Sequence, residues 1–135
     1  MKKRNGKGKE YYFNKKLFFE GEYTNDKKWN GKGYDENGNI IYELINGNGK
    51  VKEYEDGELI FEGEYLSGKR NGKGKEYDDD SILEFEGEYL NGKRNGKGKE
   101  YEDGKFFFEG EFLDGTRNGK GKLYDNGNFF LKVNF

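Results

Sequence analysis

The chain has 135 residues, and 25 Lys+Arg against 27 Asp+Glu leave a formal net charge of −2 although 39% of its residues are charged. Hydrophobic residues make up only 30% while aromatics reach 18%, so the apolar surface is concentrated in large rings, and the length suits one domain. With no Cys and no His, disulfides, Cys/His zinc sites, thiol nucleophiles and Ser-His or Cys-His catalytic pairs are excluded.

Twenty-three glycines and the absence of Ala argue against any long helix. The polar start Met1-Lys2-Lys3-Arg4-Asn5-Gly6 and the lack of an 18-residue apolar run point to a cytoplasmic chain, peripheral if it meets a membrane.

In chain order, residues 1–16 hold half a unit, Asn5-Gly6-Lys7-Gly8-Lys9-Glu10-Tyr11. Residues 17–38 follow with Phe19-Glu20-Gly21-Glu22-Tyr23, and here Trp29 stands where later units have Arg before Asn-Gly. That makes Trp29 a candidate for a contact at an exposed tip, with core packing as the alternative. Residues 39–57 are a degenerate unit: Asn46-Gly47-Asn48-Gly49 is kept but the turn before it is about four residues short, which predicts a bend or twist. Three near-identical units occupy 58–80, 81–104 and 105–127, and residues 128–135 match the opening strand of another. Their aromatic anchors Phe61, Phe85 and Phe108 recur at intervals of 24 and 23 residues, a repeat of about 23.

Within each unit the pattern alternates, as in Leu59-x-Phe61-x-Gly63-x-Tyr65 and Phe106-x-Phe108-x-Gly110-x-Phe112. Period two marks strands with one apolar face, and Glu62, Glu64, Glu109 and Glu111 fall on the other. Asp56-Gly57, Asn91-Gly92, Asp103-Gly104 and Asn126-Gly127 are hairpin turn pairs, because Asn, Asp and Gly tolerate positive φ. The predicted fold is all-β: an elongated, single-layer antiparallel β-meander in which each repeat is a hairpin and the hairpins extend one sheet. A three-residue loop at Glu102-Asp103-Gly104 would set Gly98 opposite Phe108 and Lys97 opposite Glu109. A two-residue turn would instead set lysines against phenylalanines.

Phe85, Gly87, Tyr89, Asn91, Gly92, Gly96 and Gly98, with their equivalents in each full unit, resemble the membrane occupation and recognition nexus (MORN) repeat. The step from Gly98 to Gly104 is about one residue shorter than the usual pattern and closer to a bacterial variant of the repeat, so the chain stands between the two. The resemblance implies a curved hairpin array that serves as an interaction or scaffolding module, in some members with acidic-phospholipid binding. The catalytic domains that accompany some arrays have no counterpart in this chain. It therefore implies a non-enzymatic scaffold without cofactor or small-molecule substrate, working with a protein partner, by self-association, or at an acidic phospholipid surface. A carbohydrate-binding array and an antitoxin-like inhibitor are the rival readings.

Two surfaces are candidate sites. Phe61, Tyr65, Phe85, Tyr89, Phe108 and Phe112 form an aromatic face that nothing in the sequence is expected to cover, so its rings either stack as a core or receive a partner. Lys69, Arg70, Lys73, Lys93, Arg94, Lys97, Arg117 and Lys120 form a basic edge, opposite acidic turns at Asp78-Asp79-Asp80 and Glu102-Asp103, that would dock on anionic headgroups or an acidic protein. Nucleic acid is disfavoured, since the aromatics belong to the core face and the net charge is not basic. Gly72-x-Gly74-Lys75 lacks the Ser/Thr and the helix of a phosphate-binding loop. The carboxylate pair Glu62 and Glu64 recurs in every unit, unlike an active site, and the Asp78-Asp79-Asp80 run lacks the ligand series of a calcium loop.

Overall fold

The computed structural model describes residues 2–135 and contains no helix among them. Twelve antiparallel strands follow one another along the chain: β1 (Gly6–Tyr11), β2 (Leu17–Thr24), β3 (Lys27–Tyr34), β4 (Ile40–Leu44), β5 (Gly49–Glu55), β6 (Glu58–Leu66), β7 (Lys69–Tyr77), β8 (Leu83–Leu90), β9 (Lys93–Glu102), β10 (Lys105–Leu113), β11 (Thr116–Asp125) and β12 (Asn128–Asn134). Each pairs with its sequence neighbour, giving an all-β meander. It is divided, however, into a four-stranded sheet β1 to β4 and an eight-stranded sheet β5 to β12. The division falls at the degenerate unit, where the turn is so short that β4 and β5 share only the Ile45–Asn48 bridge. The aromatic core continues past the break, because Val51 of β5 packs with Phe19, Tyr23, Tyr42 and Leu44.

Two-residue turns join most strands, with both residues at positive φ, as at Asp103 (51°) and Gly104 (78°). This corrects the three-residue loop and its register. Gly98 pairs with Gly110 and Lys97 with Glu111, not with Phe108 and Glu109. The lysine-against-phenylalanine clash does not arise, because a bulge between Phe106 and Phe108 inserts Phe107 and shifts the remaining ladder by one residue. The same bulge interrupts the alternation. Phe106 lies on one face against Tyr101 and Tyr124, while Phe108 lies on the other against Phe112.

A second irregularity sits at the opposite end of each hairpin. Gly63 pairs with Gly74 but Tyr65 pairs with Arg70, so Glu64 faces three residues, Asn71, Gly72 and Lys73. The Lys73 amide, freed from the ladder, donates to the Glu64 carboxylate at 2.6 Å, and the Lys97 amide does the same to Glu88. Gly72 has φ of +96° and a Cβ there would stand 2.5 Å from Glu64 Oε2, so glycine is required. On this edge each turn is tied to the preceding one. The Gly92 N–H donates to the Arg70 carbonyl at 2.8 Å and the Gly115 N–H to that of Arg94 at 2.9 Å. Side-chain carbonyls add to the ladder: Asn48 accepts from the Ser67 N–H at 2.9 Å and Asn71 from the Asn91 N–H at 3.3 Å.

Candidate functional site

The aromatic face is a core. Phe61, Phe85 and Phe108 are fully buried, and Tyr89 and Phe112 nearly so. Each phenylalanine lies across the bare backbone of two glycines: a Cβ on Gly74 would stand 2.7 Å from the Phe61 ring, and one on Gly98 would stand 2.6 Å from that of Phe85. Edge-to-face contacts link them to the next repeat, Phe61 with Tyr89 at 5.3 Å between centroids and Phe85 with Phe112 at 5.1 Å.

The expectation that nothing in the chain covers this stripe is corrected, for the cover comes from the arginines assigned to the basic edge. Arg70, Arg94 and Arg117 each lie over a ring, with the guanidinium carbon 4.0 Å from the centroids of Phe61, Phe85 and Phe108 respectively. Each is held there by a glutamate of an earlier strand: Arg70 by Glu53 at 2.9 Å, Arg94 by Glu76 at 2.7 Å and Arg117 by Glu100 at 2.6 Å. Glu53 and Glu76 also accept the hydroxyls of Tyr65 and Tyr89, whereas the third unit has Phe112 at this position. Burial and these glutamate acceptors keep both tyrosines well above the ordinary phenol range. Burial opposes ionisation of Glu76, but hydrogen bonds from Arg94 and Tyr89 and the charges of Arg94 and Arg70 outweigh it and hold the carboxyl below its usual range. Three groups that look like surface charge are thus part of the core lid.

The first repeat builds the lid from another residue. Lys28 pairs with Tyr23 in the ladder, as Arg70 does with Tyr65. Its ammonium sits 3.1 Å from Glu10 and 4.8 Å from the Phe19 centroid. Trp29 is consequently the extra residue of a bulge within β3 and stands at no tip. Its carbonyl accepts the Gly47 N–H at 2.7 Å.

With the arginines withdrawn, the proposed basic edge separates into three places. Arg70, Arg94 and Arg117 cap the core. Lys69 and Lys93 start strands β7 and β9 beside the turns. Lys73, Lys97 and Lys120 lie in mid-strand on the opposite face, because the strands begin one residue after each turn and carry these lysines inward. The acidic turns serve the loops themselves: the Asp78 carboxylate accepts the Asp80 and Ile82 N–H groups at 2.9 and 3.0 Å.

That opposite face encloses a groove of about 1600 Å³ running across β5 to β12. Its floor is the row of cross-paired glycines Gly63, Gly74, Gly87, Gly98, Gly110 and Gly121. Charged side chains flank the glycines on both sides: lysine pairs at Lys50/Lys52, Lys73/Lys75, Lys97/Lys99 and Lys120/Lys122, and glutamate pairs at Glu62/Glu64, Glu86/Glu88 and Glu109/Glu111, with Lys132 beyond. Nine lysines against six glutamates give the lining an excess of three positive charges on a chain that is net negative. Five of the six carboxylates already accept hydrogen bonds. Glu62, Glu86 and Glu109 take the hydroxyls of Tyr77, Tyr101 and Tyr124 at 2.6 Å, and Glu64 and Glu88 take backbone amides. Burial and the Glu86 acceptor raise the Tyr101 phenol to about 12. Among the described residues, none of the nine groove lysines lies within ion-pair distance of a carboxylate. Sequence reasoning set Glu62, Glu64, Glu109 and Glu111 on this face but assigned Lys73, Lys97 and Lys120 to the basic edge, and so did not read it as a surface. Its signal is the unit Lys-Gly-Lys set opposite Glu-Gly-Glu in every repeat.

Compared with known proteins, the family model described as MORN repeat matches residues 1–15, 61–81, 85–106 and 108–129. No curated protein matches the chain.

Proposed function

The chain belongs to the MORN repeat family, whose members are repeat modules of protein or membrane-lipid interaction, and we propose that it is a non-enzymatic scaffold that holds a partner protein along its groove. One observation carries this reading: the long charged face is open and its lysines lack ion-pair partners, while the aromatic face is sealed by the chain's own arginines. Attachment to acidic phospholipid has weaker support. A basic residue near an anionic bilayer contributes about 1 kcal/mol, and of the eight edge candidates only Lys69 and Lys93 remain beside the turns. Two such residues supply less than stable anchoring requires. The same reading puts the chain in the cytoplasm, with any membrane attachment peripheral; no helix among the described residues is long and apolar enough to cross a bilayer.

A photo-crosslinker placed at Lys97, in the groove, and separately at Lys93, beside a turn, tests the reading in native cell extract. A discrete protein adduct from the groove position and none from the turn position is the expected result. Adducts from the turn position alone, or none from either together with flotation on phosphoinositide vesicles that salt abolishes, would overturn it.

A further inference from the structure

The groove repeats its charge at a fixed interval, and that interval limits what can lie in it. Lysine pairs stand on β5, β7, β9 and β11, every second strand, with glutamate pairs between them. Neighbouring strands are about 4.8 Å apart, so successive lysine pairs are about 9.6 Å apart along the groove. Within a pair such as Lys97 and Lys99 the two side chains stand on one face about 6.6 Å apart, so one anion can sit between two ammoniums, while the intervening Gly98 turns its bare side to Phe85 and Phe112.

A ligand that uses every pair must present anions on one side at that spacing and nothing negative between, where the glutamates stand. A polyproline II segment does this: it turns once in three residues and rises about 3.1 Å per residue, so every third side chain points the same way at about 9.3 Å intervals. The mismatch is about 0.3 Å per step. An α-helix returns to the same face after seven residues, at about 10.5 Å, and drifts about 0.9 Å per step. A β-strand repeats its face at about 6.6 Å, so two of every three anions at that spacing fall nearer glutamate than lysine. A nucleic-acid strand carries a phosphate on every nucleotide and has no neutral gap for the glutamates. A flat bilayer does not enter a groove.

We propose that the groove receives an extended, polyproline II-like segment of another protein that carries an acidic residue at every third position. The proposal rests on the scaffold reading and names the partner's chemistry. Charge complementarity selects this occupant: lysine pairs at the matching period, none within ion-pair distance of a carboxylate among the described residues although Lys75 and Lys99 each stand across the ladder from two glutamates, and five of the six intervening carboxylates already committed to tyrosines and amides.

The test titrates the full chain with a fluorescent peptide of four Glu-Pro-Pro triplets, and with a control of equal composition whose glutamates are contiguous. The periodic peptide is expected to bind at least about tenfold more tightly than the control. The exposed pair substitution Lys97→Glu with Lys99→Glu is expected to lower its affinity by about tenfold or more, and Lys93→Glu to leave it unchanged, with circular dichroism confirming the fold of each variant. Equal affinity for the two peptides, indifference to the groove substitutions, or tighter binding of inorganic polyphosphate or phosphoinositide vesicles would overturn the proposal. So would the absence of any peptide binding. Crosslinked adducts from position 97 without preference for the periodic peptide would leave the scaffold reading standing and sink this one alone.

Discussion

Replacing Gly98 with alanine probes the packing on which the fold depends. The added Cβ would stand 2.6 and 2.7 Å from Cε1 and Cζ of Phe85 and 3.0 Å from Cε1 of Phe112, against an ordinary carbon contact of about 3.5–4.0 Å. Both rings are buried, Phe85 fully and Phe112 to within 4%, so neither swings aside without displacing a neighbour. Overpacking of this kind costs about 1–3 kcal/mol, and two simultaneous overlaps put Gly98→Ala near the upper end, about 3 kcal/mol. Gly92→Ala is the control: its φ of +89° makes it strained, but nothing lies within 4 Å of the added carbon, so the cost is about 1–2 kcal/mol. Urea unfolding followed by far-UV circular dichroism reads both as midpoint shifts, more than about 1 M for Gly98→Ala at an ordinary urea slope. The decisive variant adds Phe85→Leu, which withdraws the overlapping ring atoms at its own cost of about 1–2 kcal/mol. The double variant should be no less stable than Gly98→Ala alone. Rescue by Phe108→Leu in place of Phe85→Leu, or a Gly98→Ala midpoint equal to that of the parent, would refute the register and the packing together.

Arg94→Met should cost about 2–3 kcal/mol, since it removes a cation–π contact and leaves the Glu76 carboxylate, whose side chain is 21% exposed, with Tyr89 as its remaining side-chain partner. Arg94→Lys should lose less, as Lys28 fills the same slot in the first repeat, and thermal unfolding of both variants checks the order. Nine of the eleven tyrosines have raised phenol pKa values, with burial the first cause for all but Tyr124, where the hydrogen bond to Glu109 comes first. As pH rises the unfolded chain therefore loses phenolic protons before the folded one, so their stabilisation is complete below pH 10 and is lost as pH climbs through the folded values. Phenolate absorbance should stay low just above pH 10 and then rise cooperatively with unfolding; a smooth noncooperative titration centred on pH 10 would contradict this. Glu76 has the opposite sign. Its depressed carboxyl contributes stability above its ordinary value of 4.5 that is lost as pH falls below it, and Glu76→Gln should flatten the acid limb of a stability-versus-pH curve. Asn48→Ala should cost about 1 kcal/mol, because it leaves the Ser67 amide without its acceptor at 2.9 Å, a loss readable in the urea midpoint.

Strand content, the antiparallel meander and the places of the turns are legible in the sequence because they follow from local rules: alternation, and Asn-Gly and Asp-Gly pairs. Register is not local. It depends on bulges that a run of three apolar residues signals in two units, Leu59-Ile60-Phe61 and Phe106-Phe107-Phe108, and that nothing signals in the unit between, where the inserted residue is Glu84. The arginines look like surface charge because their glutamate partners lie 17 or 18 residues back, in the preceding hairpin. Trp29 reads as a substituted arginine because it is the extra residue of a bulge in β3, directly before Asn30-Gly31, while the cap is Lys28. The groove was hidden for a related reason: turns of only two residues return the chain to strand so soon that Lys73, Lys97 and Lys120 belong to a face and not to an edge.

Backbone amide shifts of the labelled full chain, followed by NMR as the Glu-Pro-Pro peptide is added, test most directly whether the lysine–glycine groove is the working surface. The account predicts that the perturbed amides are those of Lys73, Gly74, Lys75, Lys97, Gly98 and Lys99, with Lys69, Lys93 and the arginine-capped core unmoved. Perturbations confined to the turns at Ser67-Gly68 and Asn91-Gly92, or centred on the strands around Phe61 and Phe85 with the lysine amides silent, would contradict it.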